Sequence, residues 1–288
     1  MIHFIVNIKS GKGKALKCIK KITNYCANNA IDFYLHITQR HGHGADIARE
    51  IASKNEDVTI VAVGGDGTFH EVVNGIAGYP SVTLGFIPCG RGNDFARSAG
   101  FSKKPLHALK DILDGEITYY DCIQIGDKRC LNVAGTGLDV DVLTKMEEPG
   151  KKRGYLPTLL SSLIHFKPYT IEYTLNGETK EEQCFIIAAC NGKAFGKNMR
   201  VCPIAKIDDG KLDLVIINIP NGSIWPLVPK FLKGKHLKYD WAKHVICDEV
   251  KIVSKGLPIQ MDGEVYDSNV LDCKILPKAI KTFVVGKN

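Results

Sequence analysis

Hydrophobic residues in the first 120 positions form short β-branched runs that alternate with longer segments of helical spacing. The runs predict buried strands at residues 3–8, 31–38, 58–63 and 83–88, and the longer segments predict helices at 15–28, 45–54 and 69–77. Strands that alternate with helices form parallel βαβ units, whose ligands bind at the carboxyl ends of the strands. We therefore predict an α/β domain over residues 1–121.

The pattern changes after residue 121, where strand-like runs dominate. They lie at residues 122–125, 130–134, 170–175, 185–190, 212–219, 250–253, 271–276 and 282–285. Turn residues interrupt them at Asn176-Gly177, Asp209-Gly210 and Asn221-Gly222. These features predict a mainly β second domain over residues 122–281, with helices near 155–164 and 224–232.

Composition narrows the choice of partners and compartment. The ten cysteines include no Cys-x-x-Cys pair, and His41 and His43 lack a ligand at a usual spacing, so no zinc site is expected. Reduced thiols, no visible secretory signal and no segment of transmembrane length predict a cytoplasmic protein. The net charge of +7 favours anionic partners such as nucleotides, nucleic acid or an acidic membrane surface.

The strongest local motif follows the third predicted strand, as Gly64-Gly-Asp-Gly-Thr68. Glycines let the backbone turn sharply, and free N–H groups at the start of a helix attract phosphate. Asp66 or Thr68 is expected to cap the helix, and the Asp66 carboxylate suits Mg²⁺ beside a bound triphosphate. A plain strand-to-helix turn is the competing interpretation.

A second polar turn, Gly90-Arg-Gly-Asn-Asp94, follows the fourth predicted strand. Asn93 and Asp94 are candidate helix caps, and Arg91 carries donors suited to phosphate. Because the carboxyl ends of neighbouring parallel strands share one edge of the sheet, the two turns are expected to meet there. The basic segment Ser10-Gly-Lys-Gly-Lys14 follows the first strand but does not match a P-loop.

Two acidic turns lie late in the chain. Asp262-Gly-Glu264 supplies a carboxylate of the kind that removes a proton from an acceptor hydroxyl, although an ordinary hairpin explains it equally. Asp208-Asp209-Gly210 supplies oxygen ligands of the kind that bind a cation, although most such turns hold none.

Taken in order, these motifs resemble those of the diacylglycerol kinase catalytic family, a group of lipid kinases that includes sphingosine and ceramide kinases. The resemblance runs nearly end to end. It also covers Asn7, Asp121, Gly135–Asp139, Asn191-Gly192 and the Pro203–Gly210 segment. It implies an N-terminal nucleotide-binding domain like those of NAD kinases and phosphofructokinases, a C-terminal β-sandwich, and a last strand at 282–288 that returns to the first domain. The implied reaction is ATP- and Mg²⁺-dependent phosphorylation of diacylglycerol or a related lipid alcohol.

The resemblance also implies roles for individual residues. Those implied to bind ATP are Asn7, Ser10, Thr38, Gly64, Gly65, Asp66, Gly67, Thr68, Glu71, Gly90, Arg91 and Asn93. Asp94 and Asp121 are implied to join Asp66 in a network of aspartates, water and Mg²⁺. Either Asp262 or Glu264 would be the general base. Asp209, with the carbonyl groups of Lys206 and Lys211, would bind a structural Mg²⁺.

Several alternatives remain at this point. A kinase of a soluble substrate, similar to NAD kinase, shares the Gly-Gly-Asp-Gly turn, and a catalytically dead nucleotide or lipid sensor would share the fold. Residues 225–238 interleave apolar residues with lysines, which is typical of a segment that docks transiently on anionic lipid or of an ordinary surface helix. Nucleic-acid binding is not expected, since no aromatic-basic motif accompanies the charge. The sequence leaves a homodimer open.

Overall fold

The computed structural model describes residues 1–54, 57–147, 155–164, 166–196, 199–218 and 227–286. By internal contacts it divides into two units. The first comprises Met1–Cys122 with Leu276–Asn288, and the second comprises Ile123–Ile275.

The first unit alternates strands and helices as the hydrophobic pattern predicts, and it has a further helix, Pro105–Asp114, that was not predicted. Its elements are β1 (Ile2–Val6), α1 (Ser10–Asn28), β2 (Phe33–Ile37), α2 (His43–Lys54), β3 (Thr59–Gly64), α3 (Asp66–Gly75), β4 (Thr83–Pro88), α4 (Asp94–Ala99), α5 (Pro105–Asp114) and the start of β5 (Ile117–Ile125). Within α1, residues 11–13 have positive φ, so regular helix begins only after them. Pro105 at the first position of α5 and Gly115 in the left-handed region after it mark both ends of that helix.

The strands of the first unit form a parallel sheet in the order β2-β1-β3-β4, and the end of the last strand, β16 (Val270–Phe283), joins it through Thr282 beside Leu84. Helices α1 and α5 cover one face, where Phe4, Ile22 and Leu109 are fully buried. Strands of a parallel sheet that helices cover on both faces have continuous runs of apolar residues. Such runs made these strands predictable from the sequence.

The second unit is built mainly from antiparallel strands. Its elements are the end of β5, β6 (Lys128–Cys130), β7 (Val133–Gly137), α6 (Leu138–Glu147), α7 (Tyr155–Ile164), β8 (Tyr169–Leu175), β9 (Glu178–Cys184), β10 (Ile186–Cys190), β11 (Leu212–Ile217), α8 (Leu227–Leu232), β12 (Ala242–Cys247), β13 (Glu249–Ser254), β14 (Ile259–Met261), β15 (Glu264–Tyr266) and the start of β16. The predicted helix at 224–232 is observed over Leu227–Leu232. Its first residues and the predicted Asn221-Gly222 turn lie outside the described residues.

These strands form a β-sandwich. One layer contains β16-β13-β8-β9, and the other has the order β12-β11-β10-β7-β14-β15. Apolar side chains from both layers, such as Ile171, Leu214 and Ile252, form the core between them. The outer face of the second layer is covered by α6, α7 and α8, around Phe185 and Phe231. The predicted fold class, an α/β domain followed by a β-sandwich, is therefore correct.

Two details of the second unit differ from the prediction. Residues 271–276 and 282–285, expected as separate strands, belong to the single long strand β16, and residues 130–134 divide between β6 and β7. Strands β9, β12, β14 and β15 and helix α6 were not predicted, although a hairpin at Asp262–Glu264 was one interpretation. Strands β9 and β12 are at the edge of a layer, where many of their side chains are exposed and no buried pattern marks the strand.

Candidate active site

The carboxyl edge of the parallel sheet collects the first group of candidate residues. Asn7 follows β1 and donates its backbone N–H to the Val63 carbonyl at 3.1 Å, and Thr38 follows β2 and donates its own to the Val6 carbonyl at 2.9 Å. Ser10, at the start of α1, places its Oγ 3.3 Å from where a side chain on Gly65 would begin. Asn7, Ser10 and Thr38 therefore lie at the edge where ligands of parallel sheets bind.

Glycines allow the two polar turns to touch. The carbonyl of Gly64 accepts the backbone N–H groups of Cys89 at 2.6 Å and Gly90 at 3.1 Å. A Cβ on Gly90 would overlap the Cα of Gly65, and a Cβ on Gly11 would overlap the Cys89 carbonyl oxygen. The loops after β1, β3 and β4 thus converge, and their close packing requires glycine.

The Asp66 carboxylate connects the two turns. One oxygen accepts the backbone N–H of Asn93 at 2.5 Å and the other accepts that of Asp94 at 2.6 Å. The prediction that Asp66 or Thr68 caps α3 was wrong, because Gly65 occupies the N-cap without any side-chain hydrogen bond. The Thr68 side chain instead packs against Gly64, where a Cβ would overlap it. Asp66 therefore acts across the two turns, not within its own helix.

Asn93 holds the second turn in shape. It occupies the N-cap position of α4 with a left-handed backbone, but its side chain makes no cap hydrogen bond, contrary to the prediction. Its side-chain oxygen accepts the Gly90 N–H and its amide donates to the Gly90 carbonyl, both at 3.0 Å. This closed turn directs the N–H groups of Asn93 and Asp94 at Asp66.

Two carboxylates flank Gly92. A Cβ added there would lie 2.7 Å from Asp66 Oδ2 and 3.1 Å from Asp94 Oδ2. Asp94 is buried and also pairs with Arg97. Each Asp66 oxygen accepts one of the backbone N–H groups just described, and a carboxylate oxygen has two lone pairs. The arrangement therefore offers hard oxygen donors of the kind that Mg²⁺ prefers.

A basic cavity of about 410 Å³ adjoins this turn. Its described lining contains six cationic side chains and no carboxylate: Lys14, Lys17, Lys21, Arg91, Arg97 and Lys103. The three lysines recur along one face of α1, and the second turn contributes Gly90, Gly92 and Asn93. The sequence analysis named Lys14 in the basic segment after the first strand but missed Lys17 and Lys21, although the spacing of three and four residues was visible. A cavity with this charge suits a polyanion such as a triphosphate.

Two other candidates of the first unit are engaged with backbone groups. Glu71 accepts the N–H groups of Gly42 at 2.8 Å and Gly44 at 2.9 Å, and so anchors the start of α2. Asp121, which is 1 % exposed, accepts the N–H of Lys278 at 2.7 Å. Gly67 lies in the first turn of α3.

In the second unit, Asp262 and Gly263 form the two-residue turn of the β14–β15 hairpin. Both residues have positive φ, which the type I′ turns of such hairpins require. The Asp262 carboxylate accepts three backbone N–H groups, those of Leu131 at 2.7 Å, Asn132 at 2.8 Å and Val133 at 3.3 Å. This carboxylate therefore fastens the hairpin to the segment that enters β7.

Glu264 is the first residue after that turn and is in a different situation. Its side chain is half-buried and, within the described part of the chain, its carboxylate accepts only a long hydrogen bond, 3.5 Å, from the Tyr266 hydroxyl. Asp262 and Glu264, which the sequence could not distinguish, thus differ in their contacts: the Asp262 carboxylate accepts three backbone N–H groups, and that of Glu264 contacts a side-chain hydroxyl.

The turn before β11 carries the predicted cation ligands. Lys206, Asp209 and Lys211 are all exposed, and Asp209 Oδ1 accepts the Lys211 N–H at 3.1 Å. The Lys211 ammonium group contacts Asp248 at 3.1 Å. Asp209 therefore forms a local turn whose solvent-facing side remains accessible.

Asp139 is a buried acid that the sequence analysis named in the Gly135–Asp139 motif without giving it a role. It is 2 % exposed at the start of α6 and lines a small apolar pocket of about 10 Å³. The apolar lining residues are Leu138, Leu159, Leu163, Phe185, Ile186, Met199, Val228, Phe231 and Leu232. Burial raises the pKa of Asp139 to about 7, and among the described residues neither carboxylate oxygen has a hydrogen-bond partner. The sequence around Asp139 does not predict that its carboxyl group is buried among apolar side chains.

We expect Asp139→Asn to change how stability depends on pH. The folded pKa lies above the ordinary value of 3.8, so the folded chain binds the extra proton and loses stability as the pH rises from about 4 to about 7. The slope is about 1.4 kcal/mol per pH unit, and the variant should lack it. Urea unfolding followed by fluorescence of Trp225 and Trp241, the chain's two tryptophans, would report on this unit. Parallel pH profiles for the two proteins would contradict the expectation.

Comparison with known proteins identifies the family. Residues 1–125 match the diacylglycerol kinase catalytic domain, and residues 132–284 match the YegS C-terminal NAD kinase beta sandwich-like domain. The chain belongs to the diacylglycerol kinase catalytic family. The resemblance read from the motifs is therefore confirmed.

One relative of this chain is a protein from Chromohalobacter salexigens named "Probable lipid kinase YegS-like". It is 30% identical over 95% of this chain and 90% of that protein. A diacylglycerol kinase from Bacillus subtilis is 28% identical over 91% of this chain and 89% of its own length. The crystal structure of a diacylglycerol kinase from Bacillus anthracis is 23% identical, covers 99% and 97% of the two chains, and has a TM-score of 0.74, which shows the shared fold. At the family level these names support a lipid kinase.

Two features of this diacylglycerol kinase family member bear on contact with membranes: its helices and the lysine-rich stretch at 225–238. Within the described residues, every helix is too short or too polar to cross a bilayer. In the stretch 225–238, whose first two residues lie outside the described part, Phe231 and His236 are buried, and Lys230 lies over the Tyr239 ring at 3.9 Å. Lys233, Lys235 and Lys238 are exposed beside the exposed Leu232. The stretch therefore packs on the core through one face and presents lysines on the other.

Proposed function

We propose that the protein is an ATP- and Mg²⁺-dependent lipid kinase that phosphorylates diacylglycerol or a related lipid alcohol, giving a lipid phosphate such as phosphatidate. The observation that carries the proposal is the pair of Asp66 and Asp94 carboxylates around Gly92, beside a cavity lined only by cations among its charged groups. Phosphoryl transfer depends mainly on positioning and charge neutralisation, and these groups supply both. The family relationship supports the lipid acceptor.

For the nucleotide, we assign the phosphates to the glycine turns and the basic cavity. The lysines of α1 neutralise the negative charge of the triphosphate, the glycine turns let it approach the backbone closely, and Arg91 offers two parallel donors. Asn7, Ser10, Thr38, Thr68 and the glycines of both turns line the remaining nucleotide contacts. Glu71 contributes indirectly, because its carboxylate already holds the start of α2.

Mg²⁺ fits the donors described above. Asp66 and Asp94 would hold it, with Asp121 as a further member of the network, and the ion would neutralise charge that develops on the transferred phosphoryl group. The exposed Asp209 turn, with the carbonyl groups of Lys206 and Lys211, is proposed as a second, structural Mg²⁺ site.

For the acceptor, we assign the general base to Glu264. Its carboxylate takes the proton of the lipid hydroxyl, the hydroxyl oxygen bonds to the γ-phosphorus, and the bond from that phosphorus to the bridging oxygen breaks to release ADP. Asp262 is a positioning residue, because its oxygens already accept three backbone N–H groups. The exposed lysines at 233–238 are proposed to contact anionic lipid transiently.

The decisive experiment offers ATP labelled at the γ-phosphate, with Mg²⁺, to a panel of lipid alcohols, NAD and sugars. Label that moves into the organic phase with diacylglycerol or another lipid alcohol supports the proposal. Label found only on NAD would show a soluble-substrate kinase similar to NAD kinase. ATP binding without transfer to any acceptor would show a nucleotide or lipid sensor, and either result would overturn the lipid kinase assignment.

Removing one cation from the basic cavity tests the nucleotide assignment. We expect Lys17→Gln to raise the KM for ATP about three- to tenfold with little change in kcat, since roughly 1 kcal/mol of attraction is lost at an exposed site. Lys20→Gln removes the same charge from the same helix outside the cavity lining, and should leave the KM unchanged. Steady-state kinetics at fixed ionic strength would measure both, and equal effects would place the triphosphate elsewhere.

A further inference from the structure

Three potential metal ligands meet on the outer face of the second sheet layer, and a fourth lies next to them. The sulfur of Cys202, a carboxylate oxygen of Asp213 and a ring nitrogen of His244 all lie within 4.8 Å of one another. The thiol of Cys190 is adjacent to that of Cys202 but lies outside this group of three. We call these four residues the Cys-Asp-His cluster.

The register of the sheet explains why they meet. Cys190 of β10 pairs directly with Asp213 of β11, and His244 of β12 pairs with Val215, two residues along from Asp213. Side chains alternate between faces with a period of two, so all three ligands project from one face. Cys202 reaches the same place from the segment before β11, where it is packed in the same apolar cluster as Cys190.

The chemistry of this set selects the metal. We propose that the Cys-Asp-His cluster is a tetrahedral binding site for Zn²⁺. Two sulfurs, an imidazole nitrogen and a carboxylate oxygen are a ligand combination that zinc takes, whereas Mg²⁺ and Ca²⁺ prefer oxygen alone. The site is distinct from the proposed Mg²⁺ turn at Asp209, which offers only oxygen ligands.

The present geometry is close to what zinc needs. Bonds of about 2.0 to 2.3 Å separate the ligand atoms of a tetrahedral zinc by roughly 3.3 to 3.8 Å. Asp213 Oδ1 and His244 Nε2 are now 2.5 Å apart, so the ion would replace this contact, and the Cys190 thiol would have to turn toward the other three ligands to complete the tetrahedron. Asp213 is almost fully buried and His244 is partly exposed, with side chains 7% and 22% accessible, which leaves an entry route along the edge strand β12.

The absence of a Cys-x-x-Cys pair had argued against zinc, and the geometry shows why that rule fails here. The ligands come from three neighbouring strands and one connecting segment, at spacings of 12, 11 and 31 residues. A bound ion would tie these pieces together, so its role would be structural and independent of the proposed kinase activity.

The test uses the full chain, purified under reducing conditions and stripped of metal with a chelator. Co²⁺, which occupies zinc sites and absorbs visible light, is titrated first, and Zn²⁺ is then added as competitor. We expect the spectrum of tetrahedral Co²⁺ with a thiolate-to-cobalt charge-transfer band, displaced by one equivalent of Zn²⁺ and unaffected by excess Mg²⁺.

Matched variants locate the site. Cys202→Ser should remove most of the charge-transfer intensity, and His244→Gln should weaken Zn²⁺ binding at least about tenfold. Cys18→Ser, at a half-buried thiol of the first unit, should titrate like the unchanged protein. Should Cys202→Ser fail to fold, His244→Gln decides, since that side chain is partly exposed on an edge strand.

Three results would overturn the proposal. The first is the absence of a cobalt–thiolate band in the unchanged protein. The second is binding that survives intact in His244→Gln. The third is a Cys190–Cys202 disulfide in the protein as isolated, seen as a mass two hydrogens lower under non-reducing conditions, which would make the thiol pair a redox element and not a metal site.

Discussion

Asp66→Ala is expected to lower turnover at least about a hundredfold. The substitution removes a carboxylate that stands beside Asp94 and, in the proposed mechanism, binds Mg²⁺. It also leaves the N–H groups of Asn93 and Asp94 without their acceptor, and we expect a loss of about 2 to 4 kcal/mol in the free energy of unfolding. The kcat is measured with saturating ATP and lipid alcohol. The free energy of unfolding is measured by urea denaturation of the same preparation.

Asp66→Asn separates the two contributions. It keeps one side-chain oxygen as an acceptor but has no charge, so we expect a smaller loss of stability with a similar loss of kcat. Asp32→Ala is the control, since this exposed carboxylate precedes β2 at the opposite edge of the sheet. A kcat near that of the unchanged protein in Asp66→Asn would remove Asp66 from the chemistry and leave it as a connector of two turns.

The fold was predictable where burial leaves a continuous signal. The strands β1, β3 and β4 are covered by helices on both faces and carry uninterrupted apolar runs, whereas the edge strand β9 has the sequence Glu-Thr-Lys-Glu-Glu-Gln-Cys and is mostly exposed. A strand that is held by backbone hydrogen bonds to one neighbour needs no apolar side chains, so hydrophobicity cannot detect it. The turn at Asn176-Gly177 was detectable because its residue types specify the backbone.

The candidate site was predictable as a set of motifs but not as a set of contacts. Glycine spacing indicated that two turns would meet, and they do, through Gly65 and Gly90. The sequence did not reveal that Asp66 reaches across to the second turn instead of capping α3, because both uses need the same residue at the same position. The surroundings of the α1 lysines and of the buried Asp139 are formed by segments distant in the chain. A local sequence pattern therefore does not predict those surroundings.

At the β14–β15 hairpin, substitutions of the two nearby carboxylates Asp262 and Glu264 are expected to have opposite effects on kcat and on stability. Glu264→Gln should lower kcat about a hundredfold to ten-thousandfold, the range for removal of a general base, while the free energy of unfolding stays nearly unchanged. The side chain is half-buried and its long contact with Tyr266 contributes little to the fold. Both quantities are measured on one preparation, by steady-state kinetics and urea denaturation.

Asp262→Asn is the matched comparison and should behave in the opposite way. An amide keeps one acceptor oxygen and places its N–H donors against the backbone N–H of either Leu131 or Asn132, so we expect a loss of several kcal/mol in stability. The part of the protein that stays folded should keep most of its kcat, because Asp262 positions the hairpin and does not take the proton. If Asp262→Asn instead abolished turnover in a stable protein, and Glu264→Gln remained active, the two roles would have to be exchanged. A carboxylate already surrounded by three backbone donors is a poor acceptor for a further proton, and that physical difference is the reason for assigning the base to Glu264.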